Sequence, residues 1–421
     1  MIYNESKYNQ QWKTKKLSEL GMFARGKSKH RPRNDERLFE GGGYPLVQTG
    51  EIKDANLYIT HHEQEYGDFG LKQSKLWNTG TLCITIAANI AETAILAYPM
   101  CFPDSIVGFS AYPEKSSEKF MYYIFEYIKK SIQNAATGSI QDNINIDYLT
   151  SLDFKVPSKK YQDEMVMLLS AIDEKILLNS EINDNLEQQA KLLYDYWFTQ
   201  FDFPDENGKP YRSSGGKMVW NEQLKRNIPE NWKVAQLKDI FNVSGKPISR
   251  DDCQTDAYYT PIDVIPKRTI TFAGGLSVAE ANSSLQLYEE NNILLGAMRV
   301  YFHRVCISAQ SGITRTTTLV LKSKADEYLG YAYQVLNDDN AILYATQHSS
   351  GTQQPYIKWN DVLENYRFAM PSNPKLLYEY SKISEPLITK AKNCARETEQ
   401  LRKLRDWLLP MLMNGQATIS D

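Results

Sequence analysis

Gly21-Met22-Phe23-Ala24-Arg25-Gly26-Lys27-Ser28 fits the spacing G-x-x-x-x-G-K-[ST], in which backbone N–H groups and a lysine cradle phosphates. That chemistry needs a buried strand before the loop and a helix N-terminus after it. Here the preceding stretch, Lys13 to Leu20, is charged and amphipathic, and Pro32 halts any helix begun at Lys29. The similar stretch Ser244-Gly245-Lys246-Pro247 lacks both the first glycine and the hydroxyl residue. The context argues against nucleotide binding. His61 and His62 are adjacent, which is not a ligand spacing, and no third ligand is evident nearby. Asp104 with Glu114-Lys115 lacks the Glu-x-Lys of a nuclease cluster. Neither the Asn/Asp-Pro-Pro-aromatic tetrapeptide of an amino-methyltransferase nor a G-x-S-x-G elbow occurs. The expectation is no catalytic residue, no metal site and no cofactor held by this chain.

A binding chemistry remains. Arg25, Lys27, Lys29, His30, Arg31, Arg33 and Arg37 cluster near the start of the chain. Lys246, Arg250, Lys267 and Arg268 occupy the similar zone of the second half, joined later by Arg299, Arg304 and Arg315. Loops of this kind can neutralise phosphates and set arginine against guanine edges; alone, a basic loop is also an ordinary solvated surface. Arg25, Lys27, Lys29, Arg31, Arg33, Lys246, Arg250, Lys267, Arg268, Arg299, Arg304 and Arg315 are the candidate DNA contacts. The stretch Lys159 to Asp195 carries eight acidic and four basic side chains, so phosphates should avoid it. The 27 tyrosines are read as strand and core residues without individual roles.

The elements that must position these residues occur twice. Trp12-Lys13 with Leu17 and Leu20 recurs as Trp232-Lys233 with Leu237 and Ile240. Arg25-Gly26-Lys27 recurs as Ser244-Gly245-Lys246, and Gly138-Ser139-Ile140-Gln141 with Ile144 as Gly351-Thr352-Gln353-Gln354 with Ile357. Pro157-Ser158 matches Pro371-Ser372, and Glu187-Gln188 with Lys191-Leu192 matches Glu399-Gln400 with Lys403-Leu404. Five matches in one order mean two copies of one unit. Each copy opens with a mixed α+β region. Thr81–Ile86 and Ile313–Leu321 are expected strands, and Glu118–Gln133 and Glu327–Asn337 short helices.

Each copy then closes with a long helix. A 4-3 spacing runs through Met165, Leu169, Ile172, Ile176, Asn179, Asn183, Leu186, Ala190, Leu193 and Trp197. The second seam is Leu376, Tyr380, Ile383, Leu387, Lys390, Cys394, Glu397, Leu401, Leu404, Leu408 and Met411, with a kink or late start expected from Pro386. Two such helices in one chain would most simply pair. The expected division is a globular domain at 1–157, a helix at 158–200, a connector at 201–231, a second globular domain at 232–371 and a second helix at 372–421.

Composition agrees with a globular chain. Of 421 residues, 42% are hydrophobic and 24% charged, with a net charge of −3, which excludes a histone-like polycation. The longest apolar run, Leu82 to Ala91, is far short of a bilayer span, and Met1–Glu5 does not open a secretory signal. Five scattered cysteines with no C-x-x-C suit a reducing cytoplasm.

Several segments together resemble the specificity subunit of type I restriction–modification systems. They are Pro157 and Gln162 with Ile172-Asp173 and Ile176, then Phe201-Asp202-Phe203-Pro204, Asn207-Gly208-Lys209-Pro210-Tyr211 and Gly215-Gly216-Lys217-Met218. Ile228-Pro229-Glu230-Asn231-Trp232, Leu401-Arg402-Lys403-Leu404-Arg405, Leu408-Leu409-Pro410 and Asn414-Gly415-Gln416 complete the set. Asn373-Pro374 departs from the pattern and leaves the start of the second helix open. The resemblance implies two target-recognition domains, each reading one half of a split, asymmetric double-stranded DNA site. It implies an antiparallel pair of spacer helices, about 60 Å long for forty residues, related by a pseudo-two-fold. Leu169, Ile172, Ile176, Leu186, Leu193, Trp197, Leu387, Leu401, Leu404 and Leu408 would serve those helices and the partners that dock there. Two modification subunits would bring S-adenosylmethionine and a pocket for a flipped adenine, and restriction subunits ATP and magnesium. A recognition subunit of a methylase or nuclease assembly lacking the ATP-driven translocase is the alternative. An enzyme acting through Gly21–Ser28 would show ATP turnover lost in Lys27→Ala. A scaffold without DNA contact would be indifferent to charge reversal at Arg25–Arg33.

Overall fold

The computed structural model describes residues 6, 8–137, 144, 146–281 and 284–419. The chain divides into two compact units, Met1–Leu177 with Leu401–Asp421, and Leu178–Gln400. In the first unit the strands β1 (Lys13–Lys16), β2 (Gly21–Arg25), β3 (Tyr58–Ile59), β4 (Leu82–Thr85), β5 (Thr93–Leu96) and β6 (Ile106–Ala111) precede helix α1 (Glu118–Thr137). Strand β7 (Asp153–Val156) and the long helix α2 (Lys159–Tyr194) follow. The second unit repeats this order with β8 (Trp232–Gln236), β9 (Phe241–Val243), β10 (Thr271–Phe272), β11 (Ile293–Gly296), β12 (Val305–Ser308) and β13 (Thr318–Ser323). Helix α3 (Leu329–Asn337), strand β14 (Arg367–Pro371) and helix α4 (Lys375–Met413) follow, with α2 from Leu178 counted in the second unit and α4 from Leu401 in the first.

The duplication read from the sequence is visible in the hydrogen bonding. The main sheet of the first unit has the order β2-β6-β4-β5-β3, and that of the second β9-β13-β11-β12-β10. In each, only the last strand pairs parallel: Tyr58 lies opposite Ile95 and Thr271 opposite Ile307. β1 pairs antiparallel with β7 and β8 with β14, Lys13 facing Val156 and Trp232 facing Pro371. The repeated Leu17, Leu20, Leu237 and Ile240 are all fully buried. The first-copy segment Gly138–Gln141 lies outside the described residues.

The central strands β4 and β11 are buried at every position because both faces are covered. Leu82 and Ile84 of β4 join the core beneath α1 with Phe120 and Phe125, while Cys83 points the other way to Trp77 and Phe102. In β11, Ile293 and Leu295 pack with Tyr331 of α3, and Leu294 packs with Tyr288 and Cys306. The other layer is a small sheet in each unit, and here the copies differ: four strands against five. The run Ile313–Leu321, expected as one strand, is two. Gly312–Arg315 belongs to the small sheet and β13 to the main one. The chain changes sheets at Thr316-Thr317, a break that β-branched residues do not announce.

Both long helices form. Met165 and Leu169 of α2 pack with Leu412 and Met413 of α4 in the first unit, where Arg405 also pairs with Asp173 at 3.0 Å. Tyr123 donates to the second oxygen of Asp173 at 2.7 Å. In the second unit Asn179 donates to Glu397 at 2.8 Å, and the Trp197 and Tyr380 rings meet at 5.7 Å. As numbers rise along α2 they fall along α4, so the pairing is antiparallel within each unit. The α2 seam is buried or half-buried from Met165 to Trp197.

The α4 seam departs from the expected phase. Ile383, Lys390 and Leu404 are exposed, whereas Leu377, Ser384, Ile388, Ala391 and Ala395 are buried. The small Ser384 holds an inner position where α3 presses close: a methyl group on Gly330 would lie 2.6 Å from Ser384 Oγ. Helix α4 begins at Lys375, whose N–H is capped by the Asn373 side chain at 2.9 Å, and continues unbroken through Pro386. Pro386 is on the exposed face, where water can satisfy the carbonyl its ring displaces. At the end of α2, a π-turn at Asp195–Thr199 turns Trp197 and Phe198 inward. The connector is more ordered than its turn residues suggest. Phe203 stacks between Tyr211 and Trp232, and the strands Met218–Asn221 and Arg226–Pro229 form a hairpin.

Candidate nucleic-acid interface

In the first unit Gly21–Arg25 is strand β2, and the rest of the G-x-x-x-x-G-K-S stretch serves the sheet. The Gly26 N–H bonds to the Ile106 carbonyl at 2.9 Å and the Lys27 N–H to that of Phe102 at 3.2 Å. Gly26 is required by close packing, since a Cβ there would sit 2.2 Å from the Pro103 oxygen. These amides already have partners and do not form a phosphate cradle.

The cations just beyond it gather on one carboxylate. Arg33 pairs with Asp104 at 2.5 Å, Arg31 pairs with it at 3.5 Å, and Arg25 Nε donates to its backbone oxygen at 2.6 Å. Asp104, considered as a nuclease carboxylate from sequence, orients arginines instead. His30 and Arg37 both bond Asp35, each at 2.7 Å. The Arg37 guanidinium, with His30, holds the Asp35 carboxyl well below the usual range. Lys27 and Lys29 are exposed beside them. A cleft of about 310 Å³ adjoins this segment, lined by Ser28, Arg33, Gln48, Thr49, Gln64 and Ala88 among others. Its floor includes the β4–β5 connection, where Ala88, Asn89 and Ala91 have positive φ. The amides of Gln48 and Gln64, bonded at 2.7 Å, were not singled out by charge. His62 bonds Tyr98 at 2.6 Å and Glu65 at 3.0 Å, side-chain partners rather than a ligand set. Among the described residues no cluster of His, Cys, Asp and Glu could hold a metal ion.

The second unit splits its cations into groups. Lys267, Arg268 and Arg299 come together around the β11–β12 connection. Lys267 lies 4.9 Å from the centre of the Phe302 ring, and the Arg268 N–H bonds the His303 carbonyl at 3.0 Å. Arg268 also pairs with Asp339 at 3.0 Å. Lys246 and Arg250 belong to the small-sheet side. Lys246 borders a cleft of about 540 Å³ with Cys253, Tyr258 and Glu289, and Arg250 donates to the Ala279 oxygen at 2.8 Å. Arg304 is half-buried and donates to the carbonyls of Asp263 and Ile265, so its guanidinium ties a loop to the strand. Arg315 is half-buried on its strand. Tyr301 and Phe302, 50% and 38% exposed, stand among the gathered cations. Reading tyrosines as core residues passed over them. The signal was present in Arg299-Val300-Tyr301-Phe302-His303-Arg304, two aromatics in a basic turn between fully buried strands.

Of the seam residues, Leu169, Ile172, Ile176 and Trp197 are buried, and Leu186, Leu193, Leu387, Leu401 and Leu408 half-buried. Leu404 is 44% exposed and outside the helix contact.

With sheet order, helix pair and basic loops in place, the comparisons with known proteins can be set beside them. Residues 9–188 match the family described as the type I restriction modification DNA specificity domain. Among particular proteins, the chain is similar to the type I restriction enzyme MjaIX specificity subunit of Methanocaldococcus jannaschii, at 23% identity over 97% of this chain and 94% of that one. It is 20% identical to the HindI specificity subunit of Haemophilus influenzae, over 69% of this chain and 74% of the other. A type I restriction–modification S subunit from M. genitalium has the same fold, with TM-score 0.58 and 17% identity over 98% and 99% of the two chains. The resemblance carried by the sequence motifs therefore holds: the chain is similar to type I specificity subunits, and its fold is α+β, duplicated, with a long helix closing each copy.

Proposed function

We propose that this chain is the non-catalytic DNA-reading subunit of a type I restriction–modification complex. Each unit reads one half of a bipartite, asymmetric site, and modification and restriction subunits carry out adenine methylation or cleavage. The supporting observation is the pair of main sheets with one strand order, each flanked by a basic segment but built onto different small sheets. A shared frame with differing loops suits two half-sites of unlike sequence. Phosphate contacts by Lys27, Lys29, Lys267 and Arg299 would place each frame, and polar side chains at the clefts would read base edges. S-adenosylmethionine, ATP and magnesium belong to the partners on this reading, which places the complex in the cytoplasm. Domain limits of 1–157 and 232–371 with helices at 158–200 and 372–421 are the units to exchange.

The test is a methylation map of the host genome with and without the gene. The expected result is loss of adenine methylation at one split motif, and replacement of residues 1–157 by those of a relative should change one half of that motif only. Unchanged methylation, with no modification subunit accompanying the purified chain, would overturn the reading. An unchanged motif after the exchange would overturn the division of labour.

A further inference from the structure

The β11–β12 connection is a rigid turn that presents two aromatic rings to solvent. Val300 is buried beneath it, and the Arg299 N–H bonds the Pro355 carbonyl at 2.7 Å. His303 at the far end is buried, with Nε2 bonded to Asn337 Oδ1 at 2.8 Å. Arg299 and His303 bracket the turn with φ of 50° and 55°, a backbone conformation that bulky residues adopt only where the surroundings enforce it. Between them the Tyr301 and Phe302 rings lie 4.9 Å apart. Nothing in core packing requires exposed aromatics here. The same connection in the first unit, Ile86 to Glu92, carries no aromatic residue.

The surrounding charge identifies the occupant. Lys267 Nζ lies 4.9 Å from the centre of the Phe302 ring, and Arg299 opens the turn with its side chain exposed. Arg268, paired with Asp339, bonds the far end of the turn through its backbone N–H. Cations beside exposed aromatics suit a polyanion whose interior is stacked rings. We infer that Tyr301 and Phe302 form a wedge that enters a base step of the half-site read by the second unit, with Lys267, Arg268 and Arg299 on the flanking phosphates. The inference rests on the proposed DNA-reading function and adds to it a mechanism, deformation of the duplex, that the first unit lacks at this position. Side chains inserted in this way partly unstack the step and select sequences that unstack easily.

The experiment uses the full chain with the subunits that accompany it. The recognised motif is first selected from a random duplex pool, and duplexes are then made with 2-aminopurine at successive positions. The wild type should raise fluorescence at one step of the half-site read by the second unit. Tyr301→Ala/Phe302→Ala should remove that signal and weaken binding about tenfold or more. The slope of affinity against salt should stay the same, because the three cations remain. Both rings are exposed, so the melting temperature should also be unchanged. A double variant that keeps both signal and affinity overturns the wedge while leaving DNA reading intact. Unchanged DNA affinity with loss of a co-purifying subunit overturns it in favour of a protein-docking surface. Failure of the wild type to select any motif overturns the underlying reading and the wedge with it.

Discussion

Glu187, on α2, accepts the Ile270 N–H at 3.1 Å and so ties the helix to the strand region of the second unit. Burial pushes its carboxyl up to about 7, with the Asp184 charge adding to the rise and the Ile270 N–H opposing it. A carboxyl raised this way keeps a proton that the unfolded chain gives up near pH 4.5. Its contribution to stability is therefore full below that pH, drains as pH climbs to about 7, and is absent above. Glu187→Gln keeps an acceptor and removes the titration. Thermal melts should place the variant above wild type by about 2–5 °C at pH 8 and close to it at pH 4.5. A pH-independent difference would refute this account. Single residues show where charge is a poor guide. Arg304 and Arg299 look alike in sequence, yet the half-buried Arg304 ties together backbone carbonyls whereas the Arg299 side chain remains exposed. Which arginine faces solvent depends on where the chain turns back, and no local pattern records that.

At the scale of elements, periodicity located both long helices but set only one of their seams. The α2 seam holds because its apolar residues from Met165 to Ile176 and at Trp197 are buried and the polar and small residues between them, Asn179, Asn183 and Ala190, stay in the same phase. On α4 the inner positions mix Leu377, Tyr380 and Ile388 with the small Ser384, Ala391 and Ala395, while large apolar residues such as Ile383 and Leu404 stand outside. Choosing the larger side chain at each step therefore moves the apparent seam by one residue. The cause is tertiary, the approach of α3 at Gly330. Gly330→Ala should lower stability by about 1–3 kcal/mol, since the new methyl meets Ser384 and Ile388. Adding Ser384→Ala removes the nearest atom and should recover part of the loss, measurable by denaturant melts of the four proteins in a double-mutant cycle. Strictly additive effects would show that the two side chains do not meet. The duplication, in contrast, was legible because its markers are structural fixtures: Leu17, Leu20, Leu237 and Ile240 fill equivalent fully buried positions, one pair in each unit.

For the whole molecule, the units do not follow the order of the chain. The second unit is continuous, Leu178–Gln400, but the first is made from both ends. Leu412 and Met413 lie in its core, Asn9 donates to the Asn414 oxygen at 2.6 Å, and Tyr127 donates to the Asn414 side chain at 2.8 Å. Removing Leu401–Asp421 should expose the first unit and spare the second. Hydrogen exchange should accelerate in β4–β6 and α1 while β11–β13 keep their protection. Equal loss in both would contradict the assignment of the tail. The same layout sets a timetable for synthesis. The first unit's strands leave the ribosome before the second unit, but the side chains that finish its core are made after it. Translation thus completes the downstream unit while the upstream one still lacks its closing helix, so the nascent first unit is the natural client for chaperones.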